Sequence, residues 1–227
     1  MQPIPHCLSI VVPVYNESAT LEIILSAIEK VPVNKEIIIV DDSSTDGTKE
    51  KLKTLEKKAG VKVLYHNKNM GKGSAIRTGI AQAKGDLVVI QDADLEYDPQ
   101  DYLKMIKLFK NKDVLAVYGS RFKGKGSFLL KSRLANIFLS FLTSLLFNKR
   151  ITDMETCYKM VRRDILLSLD LKAKRFEIEP EITAKLLKKG IKIYEVPIRY
   201  SGRKEGKKIK AKDGFVALYT LFRWRLK

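Results

Sequence analysis

Five short, almost continuously apolar runs constrain the fold of this chain more than any other feature of its sequence. The runs are rich in β-branched residues, and they are Leu8–Val14, Lys35–Val40, Val61–Tyr65, Asp86–Ile90 and Val114–Tyr118. Strands without polar alternation are typical of a parallel sheet that is covered on both faces. Segments with helical periodicity lie between the runs, at 18–30, 46–59, 72–83 and 99–111. This alternation predicts a doubly wound α/β fold with right-handed crossovers.

The second half of the chain has a different pattern. A helix around 129–147 leads into a mixed segment, and a helix at 179–189 and a strand at 191–198 follow. A glycine- and lysine-rich loop then precedes a last, amphipathic helix near 213–226. No internal repeat or low-complexity linker divides the sequence. The simplest prediction is therefore a single domain, 1–227, that carries a C-terminal helical appendage.

Acidic side chains follow three of the predicted strands at the point where each strand ends. Glu17 follows the first strand, Asp41 and Asp42 follow the second, and Asp92 and Asp94 follow the fourth. Ligands of doubly wound sheets bind at the carboxyl ends of the strands. Carboxylates crowded there repel one another unless a cation relieves them, and Mg²⁺ or Mn²⁺ with substrate phosphates suits such a site. The alternative is that these aspartates only cap helices and form turns.

The chain is strongly basic, with 43 lysines and arginines against 26 acidic residues and a formal net charge of +17. Two stretches carry most of this excess. Ser120–Thr152 holds seven basic residues and no acidic one, and Arg199–Lys212 holds seven against one. Such charge predicts an anionic partner, which could be nucleic acid, a phosphorylated ligand or an anionic membrane. A solvated basic surface is the alternative.

An uncharged run of 14 residues, Leu134–Phe147, lies inside the first basic stretch. As a helix it would be about 21 Å long, which is too short for a bilayer core of about 30 Å. It is therefore either a buried core helix or a helix that lies in a membrane interface. The N-terminus lacks a secretory signal, and the two cysteines, Cys7 and Cys157, fit a reducing compartment, so we expect a cytoplasmic protein.

The motifs at these positions match a known family. They are VVPVYNE (11–17), IIIVDDSSTDGT (37–48), NMGKGSAIRTG (69–79), VVIQDADLEYDP (88–99), GSR (119–121), ITDMETCYKM (151–160) and VPIRYSGRKEGKKI (196–209). The chain resembles the inverting family 2 glycosyltransferases of GT-A fold, in particular the polyprenyl-phosphate sugar synthases of the dolichyl-phosphate mannose synthase type. The resemblance implies metal-dependent transfer of mannose or glucose from GDP-mannose or UDP-glucose to a polyprenyl or dolichyl phosphate.

The resemblance also implies a role for individual residues at the donor site. Base and ribose would contact Pro13, Tyr15, Glu17, Val40 and Asp42, with Asp42 bonded to the base edge and Asp41 structural. Asp92, Ala93 and Asp94 would form the strip for metal and diphosphate. Asp94 is the first candidate for a metal ligand and Glu96 the next, with Asp92 beside them. Mannose synthases typically carry glutamine at the position of Glu96, so the resemblance leaves open whether the sugar is mannose or glucose.

The basic residues would hold the phosphates. The resemblance assigns Arg121 to the acceptor phosphate with Arg133 behind it, and it places Arg203 and Lys208 in a mobile loop, 199–212, that closes over the donor diphosphate. Lys207 is an equal candidate to Lys208. A phosphate monoester has a second pKa near about 6, so the acceptor needs no strong base. Asp153 is the residual candidate for a base, or else it orients basic side chains.

The resemblance places the enzyme at a membrane. A helix at 129–150 would lie in the interface, flanked by Lys131, Arg133, Lys149 and Arg150. Because relatives continue into transmembrane helices, we expect this chain to attach peripherally to the cytoplasmic face or through a membrane-protein partner. Two other functions stay open. Transfer to a soluble or glycan acceptor would require a general base. A nucleic-acid-binding protein would require aromatic side chains on which bases stack, and the acidic strand ends argue against this function.

Overall fold

The computed structural model describes residues 7–202 and 211–226, apart from the side chains of residues 131, 211 and 212. Within these residues a seven-stranded sheet consists of β1 Leu8–Val14, β2 Lys35–Asp41, β3 Val61–Tyr65, β4 Leu87–Ile90, β5 Ala116–Ser120, β7 Lys159–Arg162 and β8 Ile193–Pro197. The strand order in the sheet is β3-β2-β1-β4-β7-β5-β8. A small parallel pair, β6 Gly126–Ser127 and β9 Tyr200–Ser201, lies outside this sheet.

Helices flank the sheet, and the sequence predicts all of them except the short helix Arg163–Ser168. They are α1 Leu21–Glu29, α2 Thr48–Leu55, α3 Lys72–Gln82, α4 Tyr102–Leu108, α5 Leu130–Phe147, α6 Arg163–Ser168, α7 Ile178–Lys188 and α8 Ala211–Leu226. A single 3-10 turn, Pro99–Asp101, precedes α4, and the Asp98 side chain caps it by accepting the Gln100 N–H at 2.9 Å. The predicted α/β architecture is confirmed, with strand and helix ends shifted by a few residues.

The strands of the first half are parallel, as the apolar runs predict. β1 pairs with β2 and β4, and β2 pairs with β3, all in parallel. β7 is the exception because it lies antiparallel between β4 and β5. The sequence did not predict β7, which has only four residues and carries a charge at each end. Its first residue, Lys159, is nevertheless fully buried.

Close packing of α3 on the sheet depends on a glycine. A Cβ atom on Gly79 would lie 2.4 Å from Cγ1 of Val11 in β1, which is well inside van der Waals contact. Val11 and Ile76, one turn before Gly79, are both fully buried. The missing side chain thus lets α3 lie against the middle of the sheet, as interior packing density requires.

The helices α5, α7 and α8 pack together at the other side of the molecule. Leu139 of α5 and Leu221 and Ala217 of α8 are buried there, and Arg225 Nε donates to the Leu146 carbonyl at 2.8 Å. Within residues 7–202 and 211–226, no helix combines the length and the apolar character that a bilayer span requires. The predicted C-terminal helix is packed on its neighbours along one side only, because Ala217 and Leu221 are buried while Phe215, Tyr219 and Phe222 are exposed.

Candidate active site

The acidic strand ends meet in one cleft of about 650 Å³ at the carboxyl edge of β1, β2 and β4. They meet because the strands are parallel and in register, with Val14 opposite Asp41 and Val11 opposite Ile90. The predicted site residues that line the cleft are Pro13, Tyr15, Glu17, Asp42, Asp92, Ala93, Asp94, Glu96 and Arg121. The structure therefore brings the two predicted halves of the site, acidic and basic, into one cavity.

Other predicted residues lie elsewhere. Val40 is fully buried in β2, and neither it nor Asp153 is among the described residues that line the cleft. Arg133 is exposed on α5, where its guanidinium lies 5.9 Å from the centre of the Phe128 ring. Arg203 and Lys208, together with Lys207, lie outside the described residues, so their roles stay predictions.

The acidic strip after β4 is held by a buried polar anchor. The Gln91 side chain is fully buried and accepts hydrogen bonds from the hydroxyls of Tyr102 and Tyr158, while its amide donates to the Asp92 carbonyl at 2.9 Å. Buried polar groups of this kind fix a unique backbone position because they must be satisfied. The hydrogen bond from Gln91 therefore fixes the position of the Asp92 backbone at the end of β4.

A tight turn then directs Asp94 and Glu96. Leu95 has a positive φ of 62°, which costs a bulky residue roughly 1 kcal/mol or more. The turn lets Asp94 Oδ1 accept the Glu96 N–H at 3.2 Å, and Tyr200 donates its hydroxyl to Glu96 Oε2 at 2.8 Å. Backbone strain of this kind is concentrated at functional sites, and here it sets the spacing of two carboxylates.

The carboxylate of Asp92 forms an ion pair with a lysine. Lys72 Nζ lies 2.8 Å from both oxygens of Asp92 and 3.4 Å from Glu179 Oε1. Burial alone would lower the pKa of the Lys72 ammonium, but the Asp92 and Glu179 carboxylates outweigh burial and raise that pKa well above its ordinary value. Lys72 is therefore a permanent cation at the floor of the cleft. It relieves part of the repulsion that the sequence assigned to a metal alone.

The residues present fit a divalent metal in a limited way. Among the described residues, no group of three histidine, cysteine, aspartate or glutamate side chains is placed to hold an ion. Mg²⁺, however, usually takes one or two carboxylates and fills its shell with water and substrate phosphates. Asp94 and Glu96 are two such oxygen donors in one open cleft. Lys72 is paired with Asp92, so its ammonium would compete with a metal for that carboxylate.

The glycine-rich turn before α3 is anchored by Asp42. The buried Asp42 carboxylate accepts the N–H groups of Met70 at 2.8 Å and Gly71 at 2.6 Å, and it lies 2.7 Å from His66 Nδ1. A Cβ atom on Gly73 would lie 2.8 Å from the backbone oxygens of Ala173 and Arg175. The glycines therefore serve tight backbone packing, and Asp42 both lines the cleft and holds the turn in place.

Arg121 and Asp153 form a buried ion pair at the other end of the cleft. Arg121 Nε and Nη2 donate to the two Asp153 oxygens at 2.8 and 2.7 Å, and the Arg121 backbone N–H donates to Asp153 Oδ2 at 2.8 Å. Asp153 is fully buried, whereas the Arg121 side chain is 7% exposed. Its guanidinium also lies 5.2 Å from the centre of the Tyr200 ring. This geometry supports the alternative in which Asp153 orients a basic side chain.

Comparison with known proteins decides the family. A family model described as Glycosyl transferase family 2 matches residues 9–169, more than half of the chain. The chain belongs to glycosyl transferase family 2. The predicted family is thus confirmed, and its sequence match covers the acidic strand ends, Arg121 and Asp153.

The chain is also similar in sequence to individual proteins, two of which are named for dolichyl-phosphate glycosyl transfer. The dolichol-phosphate mannosyltransferase of Pyrococcus furiosus is 33% identical over 227 residues, which cover 95% of this chain and 64% of the relative. The chain therefore spans less than two thirds of that relative's length. A UDP-N-acetylglucosamine–dolichyl-phosphate N-acetylglucosaminyltransferase of Methanococcus voltae is 31% identical over 211 residues, which cover 84% of each chain.

The fold agrees with this family. The glucosyl-3-phosphoglycerate synthase of Mycobacterium tuberculosis, solved with Mn²⁺ and UDP-glucose, superimposes with a TM-score of 0.75 at 19% identity, covering 97% of this chain and 79% of that one. At such low identity the likeness shows the fold only, and it confirms the predicted GT-A architecture.

Sequence patterns missed several side chains that line the cleft of this family 2 glycosyltransferase. They are Lys72, Glu155, Glu179 and Tyr200, together with Arg175 and Phe176. Lys72 lies in the GKG turn, which drew attention only for its glycines. Glu179 begins α7 and has no pattern that separates it from the acidic residues around it. Tertiary contacts bring these residues together, so no local sequence signal could have found the group.

Proposed function

We propose that this family 2 glycosyltransferase transfers a hexosyl group, mannose or glucose, from GDP-mannose or UDP-glucose to a polyprenyl or dolichyl phosphate. One observation carries the proposal. A single cleft holds the acidic strand ends at one side and the Arg121–Asp153 pair at the other, and its wall is a helix with an exposed apolar outer face. The cleft therefore offers places for a nucleoside diphosphate, a second phosphate and a lipid.

The donor side of the cleft stabilises the leaving nucleoside diphosphate. Pro13, Tyr15 and Glu17 line the part of the cleft assigned to the nucleotide, and Asp42 fixes the turn beside it. Mg²⁺ or Mn²⁺, held by Asp94 and Glu96, supplies positive charge to the departing diphosphate when it is bound. Lys72 holds Asp92 in place so that this carboxylate does not face the diphosphate unneutralised. Arg203 and Lys208 belong to the same proposal as cations that close over the donor.

The acceptor side binds a phosphate that is already ionised. Two phosphate charges about 4 Å apart repel by several kcal/mol at intermediate dielectric, so the acceptor needs a fixed cation. Arg121 provides one that does not change protonation state, because its guanidinium stays charged throughout the physiological pH range. Nε and Nη2 bind Asp153, and Nη1 makes no hydrogen bond to the described residues. Nη1 is therefore the group that we assign to the acceptor phosphate, and Asp153 is the residue that aims it.

The α5 and α8 helices form an apolar surface beside this cleft. Ser132, Ala135 and Leu139 of α5 face the cleft. The opposite face of α5 exposes Leu130, Leu134, Ile137, Phe138, Phe141 and Leu145, and α8 adds Phe215, Val216, Tyr219, Phe222 and Leu226. Phe141 is 64% and Phe215 is 74% exposed. Monomeric soluble proteins rarely leave so many large apolar side chains together in water.

We assign this apolar surface to the membrane interface. Basic residues flank it, namely Arg133, Lys149, Arg150, Arg223 and Arg225. Each adds roughly 1 kcal/mol of attraction near an anionic membrane surface. The enzyme would then sit peripherally on the cytoplasmic face, alone or with a membrane-protein partner, and it would receive its acceptor between α5 and α8. This arrangement assigns the basic excess to lipid and phosphate rather than to nucleic acid.

A transfer assay tests the proposal. The protein would be incubated with Mn²⁺ and GDP-mannose, UDP-glucose or UDP-N-acetylglucosamine, the last because of the Methanococcus relative. Undecaprenyl phosphate, dolichyl phosphate and a soluble hexose would serve as acceptors, and lipid-linked product would be measured by mass spectrometry. We expect metal-dependent product with one donor and a lipid phosphate. Transfer to the soluble hexose alone, or tighter binding to oligonucleotides than to anionic vesicles, would overturn the proposal.

A further inference from the structure

Two carboxylates at the floor of the cleft, Glu155 and Glu179, lack the partners that buried oxygens normally have. Oε1 of Glu155 and both carboxylate oxygens of Glu179 are buried and accept no hydrogen bond from the described residues. Both side chains line the cleft. In native proteins buried polar atoms are almost always hydrogen-bonded, so acceptors at the wall of a cavity that the protein leaves unpaired take their donors from water or from a ligand that replaces it.

Neighbouring lysines balance only part of this negative charge. Glu179 lies within ion-pair distance of Lys72, at 3.4 Å, and of Lys159, at 3.2 Å. Lys72 is bound more closely to Asp92, and Lys159 donates to the Met154 and Thr156 carbonyls at 2.6 Å each. The two ammonium groups are therefore directed mainly at other acceptors. They lie near Glu179 without satisfying the hydrogen-bonding capacity of its carboxylate.

The chemistry of this floor selects the kind of ligand. A phosphate would be repelled by carboxylates, and a further cation would be repelled by Lys72 and Lys159. A neutral group with several hydroxyls suits both, because each hydroxyl donates a hydrogen bond to a carboxylate oxygen. Burial, the largest cause, raises the pKa of Glu155 to about 7, so at neutral pH this carboxyl exchanges between a charged form, which accepts a hydrogen bond from a ligand hydroxyl, and a protonated form, which can also donate one.

The position of the floor agrees with the proposed reaction. A transferred sugar must lie between the leaving diphosphate and the attacking phosphate, because its anomeric carbon is attacked from the side opposite to the leaving group. Glu179 is joined to the acidic strip through Lys72 and Asp92. Glu155 is two residues after Asp153, which holds Arg121. Glu179 is thus linked to the donor side, and Glu155, which lines the same cleft and interacts electrostatically with both Glu179 and Arg121, is near the acceptor side.

We propose that Glu155 and Glu179 bind the hydroxyl groups of the transferred hexosyl group and so determine which sugar the enzyme accepts. This inference rests on the proposed function, because it requires a nucleotide sugar in the cleft. It adds a sugar subsite to the residues assigned to nucleotide, metal and acceptor. The sugar's hydroxyls would complete the hydrogen bonding of the cleft floor, and an epimer that places one hydroxyl elsewhere would leave a carboxylate oxygen unpaired.

Binding measurements with matched variants test the inference. Dissociation constants of GDP, UDP, GDP-mannose, UDP-glucose and UDP-N-acetylglucosamine would be measured by calorimetry with Mn²⁺ for the wild type, Glu155→Gln and Glu179→Gln. Glu181→Gln is the control, because Glu181 lies on the same helix and is buried, yet it pairs with Lys185 and the N–H groups of Lys172 and Ala173 outside the cleft lining. Thermal unfolding would report the stability of each variant.

We expect Glu179→Gln to weaken binding of the preferred nucleotide sugar about 10- to 100-fold, as expected for a lost hydrogen bond to a charged group. Glu155→Gln should weaken it about 3- to 10-fold at neutral pH, because Glu155 is charged in only part of the molecules there. The Kd of the matching nucleoside diphosphate should stay within about twofold, since the sugar contacts alone are removed. The Glu181→Gln variant should be less stable, but its preference for nucleotide sugar over nucleoside diphosphate should be unchanged.

Three results would overturn the inference. They are equal losses for nucleotide sugar and nucleoside diphosphate, no loss in either glutamate variant, and the same selectivity change in Glu181→Gln. In each case the wild type would still bind a nucleotide sugar, so the proposed function would survive. If the wild type bound none of the nucleotide sugars or nucleotides, the proposed function and the sugar subsite would both fail.

Discussion

The Arg121–Asp153 pair provides the sharpest test of how the acceptor side works. If Asp153 orients Arg121, then Asp153→Asn should destabilise the fold as well as impair transfer. Breaking a fully buried ion pair typically costs about 3–5 kcal/mol, and we expect about 3 kcal/mol because the amide oxygen can still accept one hydrogen bond. Arg121→Met should cost a similar amount, since it leaves the Asp153 carboxylate buried with only the Arg121 backbone N–H at 2.8 Å.

The double variant separates stability from function. With both charges removed, neither partner is left as an unpaired buried ion, so the two losses should not add. We expect a coupling energy of at least about 2 kcal/mol in a double-mutant cycle measured by urea unfolding. Transfer to the lipid phosphate should stay lost in the double variant, because the phosphate-binding cation is absent. Binding of the nucleotide sugar should be nearly unchanged in all three variants.

A contrary result is equally clear. If the free energy of unfolding of Asp153→Asn were within about 0.5 kcal/mol of the wild-type value while transfer was lost, Asp153 would act directly on the acceptor, as a general base does. Additive losses in the cycle would likewise refute the reasoning, because they would mean that the 2.7 and 2.8 Å contacts contribute no mutual stabilisation.

Three further predictions concern the metal strip, the cleft floor and the apolar surface. Asp94→Asn should reduce Mn²⁺-dependent transfer by about 100-fold or more while the melting temperature stays near that of the wild type; undiminished metal-dependent turnover would exclude the assigned ligand. Burial raises the pKa of Glu155 from 4.5 to about 7, so the folded state binds this proton more tightly than the unfolded state does. The free energy of unfolding therefore falls as pH rises from about 4.5 to 7, by at most about 1.4 kcal/mol per pH unit. Glu155→Gln should therefore raise the unfolding free energy more at pH 8 than at pH 5, and an equal change at both would contradict the assignment. Phe141→Ser should weaken sedimentation with phosphatidylglycerol vesicles with little change in stability, whereas Ile23→Ser, which removes an equally exposed apolar side chain from α1, should not; equal behaviour of the two variants would count against α5 as the membrane contact.

The site edge could be predicted from sequence because local patterns determine it. Continuous apolar strands imply parallel pairing, and parallel pairing brings residues that follow β1, β2 and β4 to one edge. Asp92 and Asp94 thus reach the cleft as predicted. The same reasoning explains why α5 left two alternatives open. Its run contains one stripe that packs inward, with Leu139 and Thr143 buried, and another that is exposed, so each alternative describes one face of the helix.

Contacts between distant segments could not be predicted in this way. The cation that pairs with Asp92 comes from the start of α3, and the carboxylate that shares Lys72 comes from the start of α7. Neither segment has a spacing that indicates the other. The antiparallel strand β7 was missed for a related reason, because four residues that begin with a lysine resemble a surface segment until a buried acceptor set surrounds the Lys159 ammonium.

We propose that the acidic strand edge holds a metal and a nucleoside diphosphate in the cleft that Arg121 also lines. A crystal structure of the protein with Mn²⁺ and UDP or GDP, with the ion located by its anomalous scattering, tests this most directly. The account predicts one ion bonded to the Asp94 carboxylate and to the diphosphate, with the base near Tyr15. A nucleotide bound with its ion away from residues 92–96 would contradict it.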